Sequence, residues 1–291
     1  MMKHLKIDLH MHSNVSDGTD QPKEMISKVK DAGIGLFSLS DHDDIAGCSE
    51  IMKELKNDDP AFICGVEFSC RDELGKYHVL GYGYDPGSPA IKDLVTLGKS
   101  YRIDKARQRV NYVEKEFGFI LPEQDKEWFF SLPSPGKPHL GNLLVKNGYC
   151  KTKEEAIRDY IDGYHAPTQY VTPKEAIEGI LKGGGIPVLA HPVYGSGEQL
   201  ILGEEMESRL RRLMEFGLQG VEAYYSGFSP KMITMMKEFA ERFDLYVTAG
   251  SDYHGTNKMI GLGDNFLDDI EDGPSGLMRF LRDVRYGKLL L

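Results

Sequence analysis

The 291-residue chain contains four cysteines, one tryptophan and fewer basic residues than acidic ones. Cys48, Cys64, Cys70 and Cys150 are scattered and form no CxxC pair. That spacing argues against a disulfide-stapled scaffold and against a cysteine-based zinc site. With 35 basic and 45 acidic residues the formal charge is −10. Duplex DNA is gripped through many lysine and arginine contacts to phosphates, so broad binding to duplex nucleic acid is not expected. A small anion held in a local basic pocket is compatible with the same balance. No stretch approaches the roughly 20 apolar residues that cross a bilayer, so no membrane partner is expected. The opening MMKHLKIDLHMHS reaches charged and polar residues too early for a signal peptide's apolar region, and a cytoplasmic location is expected by default. A phosphate loop of the form GxxxxGKS/T and an evident Ser–His–Asp arrangement are also lacking.

The hydrophobic fraction, 41%, is ordinary for a globular protein, and a chain of this length can bury a large core. Leu5–His10, Gly35–Ser40, Phe62–Phe68 and Tyr77–Tyr82 read as strands. Pro22–Ala32 reads as a helix, with proline near its start and Gly33 beyond its end. This alternation predicts parallel α/β architecture. From about Ala90 to Gly118 the pattern becomes one long charged helix. His139–Asn147 and Lys153–Ile161 follow as shorter helices, and no convincing strand interrupts them. Residues 86–166 therefore read as a helical insertion, and residues 1–85 with 167–291 as the domain that carries it. Ile186–Ala190, Gly220–Ala223 and Leu245–Ala249 resume the strands. Pro173–Leu181, Glu204–Phe216 and Pro230–Phe243 are their helices, and Ser275–Tyr286 closes the chain as a helix.

Ligand-type residues collect at the expected C-terminal ends of these strands. They are Asp8-Leu9-His10-Met11-His12, Asp41-His42-Asp43, Glu67, His78, His191 and Asp252-Tyr253-His254. Asp17 lies in the loop after the first strand. In α/β barrels the strand ends converge on one face, and catalytic groups gather there. His10 and His12 share one side of an extended strand, roughly 6.6 Å apart along it. Two such imidazoles converge on one cation if the strand end curls. Imidazoles joined by carboxylates suit manganese, iron or zinc. A single strand-end histidine is more often polar surface, but several coinciding in one chain point to a metal site. His4 and His165 read as surface or structural residues.

With those residues in view, the chain resembles the PHP family, named for polymerase and histidinol phosphatase. The matching motifs are DLHMHS (8–13), SDGT (16–19), LSDHD (39–43), GVEFS (65–69), the isolated His78, LAHP (189–192) and SDYHG (251–255). They run in family order across nearly the whole chain. The helical insertion also resembles that of the metal-dependent phosphoesterase branch, which includes enzymes acting on nucleoside 3′,5′-bisphosphates and the 5′ ends of short oligoribonucleotides. The resemblance implies a distorted (β/α)7 barrel, the insertion over the strand C-terminal face, and two or three divalent metal ions (Mn, Zn or Fe). Carried over by motif, His10, His12, Glu67 and Asp252 would hold the first metal. Glu67 would bridge to a second, completed by His78 and His191, and Asp17, His42 and His254 would hold the third.

The expected reaction is hydrolysis of a phosphate ester on a small nucleotide-like substrate by metal-activated hydroxide. Asp17, His42 and His254 are the candidate catalytic residues, and the leaving-group acid stays unassigned. Arg102, Lys105 and Arg109 fall on one helical face, with Arg107 off it. That stripe is either solvated surface or a phosphate grip from the insertion. Lys137 and His139, at a helix start, form a second candidate anion site. Other phosphate esters on the same fold remain open, among them histidinol phosphate and a cyclic-nucleotide diester. Amidohydrolase chemistry and a non-enzymatic metal-holding module are the alternatives from other classes.

Overall fold

The structure is a computed structural model describing residues 5–165, 169–194 and 200–287, so His4 lies outside the described residues. Seven strands form one sheet in sequence order. They are β1 (Lys6–Asp8), β2 (Ile34–Leu39), β3 (Ala61–Asp72), β4 (Gly75–Tyr82), β5 (Ile186–Leu189), β6 (Gly220–Tyr225) and β7 (Tyr246–Gly250). Before β4 the helices are α1 (Pro22–Asp31) and α2 (Ala46–Glu54). Between β4 and β5 come α3 (Pro89–Phe117), α4 (Glu123–Ser131), α5 (Lys137–Lys146), α6 (Lys153–Glu155), a wider turn over Ala156–Ile161, and α7 (Pro173–Lys182). Then follow α8 (Gly203–Glu215), α9 (Pro230–Arg242) and α10 (Ser275–Asp283).

The strands read as near-continuous apolar runs because helices and sheet bury both of their faces. Ile63, Val66, Phe68, Val79, Leu80, Val188, Val221 and Val247 are fully buried. Helix signals operate as expected. Pro22 opens α1, Gly33 follows it at φ 71°, and Met25, Ile26 and Val29 face the sheet on one stripe. Thr172 caps α7, its hydroxyl accepting the Glu175 N–H at 3.2 Å. Two short helices, α2 and α4, escape the sequence reading because few apolar residues mark a face in either. Only Gly47, Cys48 and Ile51 are buried in α2, and only Asp125 and Phe129 in α4.

The expectation of parallel strands needs one correction. β1–β2, β2–β3, β5–β6 and β6–β7 pair parallel, but β4 is antiparallel to both β3 and β5. Only Glu73 and Leu74 separate β3 from β4, which is too short for a crossover and makes a hairpin. Reversing β4 brings the middle of that strand, not its end, to the rim.

At the sheet's two outer strands, main-chain hydrogen bonds join the chain after β1 to β7 and its continuation. Leu9 N–H donates to Ala249 O (2.9 Å), Asp252 N–H to His10 O (2.7 Å), and His12 N–H to Tyr253 O (2.8 Å). Among the described residues, 86–165 contain only helical elements. They carry their own apolar cluster, including Val110, Val113, Phe129, Leu140 and Leu144. Helix α3 serves both cores, since Ile91, Leu94 and Val95 belong to the sheet's cluster and Ala106, Val110 and Val113 to the second.

Candidate metal centre

Beyond β1 the chain stays extended, so Leu9 and Met11 enter the core while His10 and His12 turn the other way, all four fully buried. The two rings meet edge to edge, with Nε2 atoms 3.2 Å apart. Two ring nitrogens so close share either a proton or a cation. Asp8 and Asp41, flagged with them in the sequence, hold main chain instead. Asp8 accepts the N–H groups of Ser251 and Gly263, and Asp41 accepts Ser13 N–H together with the Ser13 and Ser16 hydroxyls.

Glu67 is the hub. Its Oε2 lies 3.2 Å from His10 Nε2, 3.2 Å from His12 Nε2 and 3.2 Å from His42 Nδ1. Its Oε1 lies 2.8 Å from His78 Nδ1 and 3.1 Å from His191 Nε2. Neither Glu67 nor His78 ends a strand, contrary to expectation. β3 continues five residues past Glu67, and the reversed β4 sets His78 opposite Ser69. The rim at this side is therefore the middle of a hairpin.

The remaining residues close the other flank. Asp252 Oδ1 approaches His12 Nε2 (3.2 Å), His254 Nδ1 (3.4 Å) and His10 Nε2 (3.5 Å). His254 Nε2 lies 3.3 Å from Asp17 Oδ1, and His42 Nε2 3.9 Å from Asp17 Oδ2. All nine expected ligands therefore meet in one place. Asp43, His191 and Asp252 carry positive φ values of 53°, 29° and 59°. Left-handed backbone is uncommon outside glycine, though aspartate and histidine adopt it more readily than most residues.

The electrostatics follow from burying carboxylates among imidazoles. Burial opposes ionisation of Glu67, yet His42, His10 and His78 hold its carboxyl well below the usual range. Asp17 and Asp252 are likewise depressed against burial, by His42 with His254 and by His10 with His12. Burial works against a charged His12, but Asp252 and Glu67 carry its ring up to about 9. His42 goes the other way, pushed well down by burial.

A cation fits this donor set. Asp17 Oδ1 and His42 Nδ1 are buried without a hydrogen-bond partner although each faces groups of the cluster. Three overlapping groups can hold an ion, each with donor atoms within 4.8 Å of one another: His12, Asp17, His42, His254; His10, His12, Glu67; and His42, Glu67, His78. Exchange of protons for a divalent ion relieves the crowding of acceptor atoms.

A cavity of about 330 Å³ opens beside Asp17, His42 and His78 and runs under the helical segment to Lys105, Arg109 and Lys137. Arg102 also lines it, but its guanidinium is already engaged by Asp43 Oδ2 (2.8 Å from Nε, 2.6 Å from Nη2) and Ser69 Oγ (2.7 Å). Lys105 lies over the Tyr170 ring, 4.1 Å from its centre. Burial and nearby Arg109 and Arg102 push its ammonium down to about 6. Burial lowers Arg109 to about 10, and its buried Nε has no hydrogen-bond partner. Lys137 pairs with Asp162. His139 is the third residue of α5, not its first, and its Nδ1 accepts Gly136 N–H at 3.1 Å. The histidine thus caps the helix whose anion-binding end it was expected to furnish. His165 is exposed.

The sequence reading missed Glu222, Tyr225 and Lys258. Tyr225 OH donates to Asp252 Oδ2 at 2.9 Å, and Lys258 Nζ lies 2.5 Å from the same oxygen. Glu222 was readable in principle as an acid in the middle of an apolar strand, GVEAYY.

The PHP domain profile matches residues 8–216. A 3′,5′-nucleoside bisphosphate phosphatase from Chromobacterium violaceum is 29% identical over 273 residues, covering 92% of each chain. A 5′-3′ exoribonuclease from Haemophilus influenzae is 28% identical, covering 89% of this chain and 94% of the relative. A phosphoribosyl 1,2-cyclic phosphate 1,2-diphosphodiesterase from Eggerthella lenta is 27% identical, covering 85% and 94%. Among solved structures, one from Bifidobacterium adolescentis, assigned by inference as a metal-dependent phosphoesterase, superposes with a TM-score of 0.82 at 27% identity, over 96% of each chain. Another, named an amidohydrolase from Chromobacterium violaceum and solved with sulfate and no metal, gives 0.77 at 28% identity, over 88% of this chain and 90% of that one.

Proposed function

From the premise that this chain belongs to the PHP domain family, we propose that it is a metal-dependent phosphoesterase acting on a small nucleotide-like substrate. The substrate class is a nucleoside 3′,5′-bisphosphate or a short 5′-phosphorylated oligoribonucleotide. The observation that carries the reading is Glu67, whose two oxygens face different sets of histidines. A carboxylate so placed suits a bridge between cations. His10, His12 and Asp252 would complete one position, and His78 with His191 a second. Asp17, His42 and His254 would form a third. Bound divalent ions lower the pKa of water and neutralise phosphoryl oxygens. Manganese, iron and zinc all match imidazole and carboxylate donors.

The chain's own residues supply orientation. The cavity leads from the histidine cluster to Lys105, Arg109 and Lys137, so a substrate with two phosphates can place one at each end. Arg102 holds Asp43, the neighbour of His42, and is better read as a brace than as a free phosphate contact. A cavity of about 330 Å³ is of a size that suits a small nucleotide. Residues 86–166 serve in this reading as a lid domain over the metal rim. The bonds from Leu9 and His12 to Ala249 and Tyr253, with the one from Asp252 back to His10, support closure of the sheet into a distorted barrel.

The test is turnover of the manganese-loaded protein on a nucleoside 3′,5′-bisphosphate, the matching monophosphates, a 5′-phosphorylated dinucleotide, a cyclic phosphodiester and an N-acyl amide. Bisphosphate or dinucleotide should show the highest kcat/KM. Preference for the cyclic diester moves the assignment to the activity named for the Eggerthella relative, and turnover of the amide alone rejects phosphoesterase chemistry.

A further inference from the structure

We propose that Glu222, which lies outside the motifs read in the sequence, is the positioning residue that orients two histidines of the centre, His10 and His191. The inference rests on the metal-dependent reading above. Glu222 is fully buried in β6 between Val221 and Ala223, themselves fully buried. A carboxylate there is unfavourable unless its oxygens are satisfied, and an apolar residue would suit the strand. Both oxygens are used, each on a different histidine. Oε1 lies 3.0 Å from His10 Nδ1, and Oε2 accepts the main-chain N–H of His191 at 2.8 Å.

Each bond fixes something the centre needs. An acceptor at His10 Nδ1 places the proton there and leaves the Nε2 lone pair aimed at Glu67 Oε2 and His12 Nε2, both 3.2 Å away. The bond to the His191 N–H braces that residue at φ 29°, a backbone conformation uncommon outside glycine. In that pose its Nε2 lies 3.1 Å from Glu67 Oε1. One carboxylate thus orients the imidazoles that meet opposite oxygens of Glu67. The sheet makes room for it at Gly250, where an added Cβ would fall 2.6 Å from Glu222 Oε1 and 2.2 Å from His10 Cβ.

Wild-type protein and Glu222→Gln, both stripped with chelator, are titrated with Mn²⁺ while bound metal per chain is counted by mass spectrometry. The visible spectrum of the Co²⁺-loaded forms is recorded alongside, with melting of the stripped proteins. The variant should bind Mn²⁺ about 10–100-fold more weakly and give a shifted Co²⁺ spectrum. Equal affinity and an equal spectrum, with only a lower melting temperature, would assign Glu222 a structural role and overturn the proposal. If Glu222→Gln does not fold, Glu222→Asp decides by the same titration, because it keeps the charge and withdraws the oxygens by one methylene. Wild-type protein that takes up no metal would reject the metal centre itself, an outcome distinct from a variant that binds as well as wild type.

Discussion

At the residue scale the centre is economical, since each side chain meets more than one partner. His42 is the clearest case. Its Nδ1 faces Glu67 and its Nε2 faces Asp17, so it spans two of the groups that can hold a cation. It is buried, but its removal opens space toward the cavity and not inside the apolar core. His42→Ala should therefore lower kcat by about 10²-fold or more while leaving the fold intact. Steady-state kinetics beside far-UV circular dichroism checks this, and normal turnover would remove His42 from the chemistry. Arg102 teaches a different lesson. Its position on the basic stripe is visible in the sequence, but its engagement by Asp43 and Ser69 depends on residues 33 and 59 positions away.

At the scale of elements, the decisive part is α3. One half packs on α7 and joins the sheet's apolar cluster, and the other belongs to the second cluster, so the helix fixes where its basic face lies relative to the metal rim. The fit is close at Gly98, where an added Cβ would stand 3.0 Å from Asp43 Oδ1. The Lys99–Asp44 ion pair (2.6 Å) and the Arg102–Asp43 pair clamp the same turn. Farther along, Lys105 sits in the cavity with its ammonium pushed down to about 6 by burial and by Arg109 and Arg102. An arriving phosphate would restore the proton. KM for a phosphorylated substrate should then rise as pH climbs above about 6, because binding must take up a proton. In Lys105→Ala that slope should flatten. A pH profile of KM identical in both proteins would return Lys105 to a packing role.

At the scale of the molecule, the cluster links stability to both pH and metal. Glu67 and Asp17 have folded pKa values below their ordinary 4.5 and 3.8, so their contribution is present above those values and is lost as pH falls through the depressed ones. His12 is raised from 6.5 to about 9, so its contribution is complete below 6.5 and lost as pH rises through 9. His42, pushed down by burial, works in the opposite sense, its contribution being complete above 6.5 and lost below it. Chelated protein should therefore lose stability between pH 6.5 and about 9. Metal competes with those protons, so the rise in Tm on adding Mn²⁺ should grow over the same interval. A saturating ion at about 100 times its Kd contributes ~2.7 kcal/mol. Calorimetry with and without chelator across that range measures it, and a metal effect independent of pH would mean the histidines are not the ligands.

The sequence by itself determined the nine ligand-type residues and roughly where the strands and most helices run, α2 and α4 excepted. Hydrophobic runs, proline and glycine punctuation and the His-x-His spacing are local signals, and local signals survive in a linear chain. Only the tertiary structure decided the antiparallel course of β4, the central place of Glu67 and the roles of Glu222 and Asp43. Those depend on contacts between strands and loops far apart in the chain, where a buried charge is tolerated only because a partner from another element satisfies it.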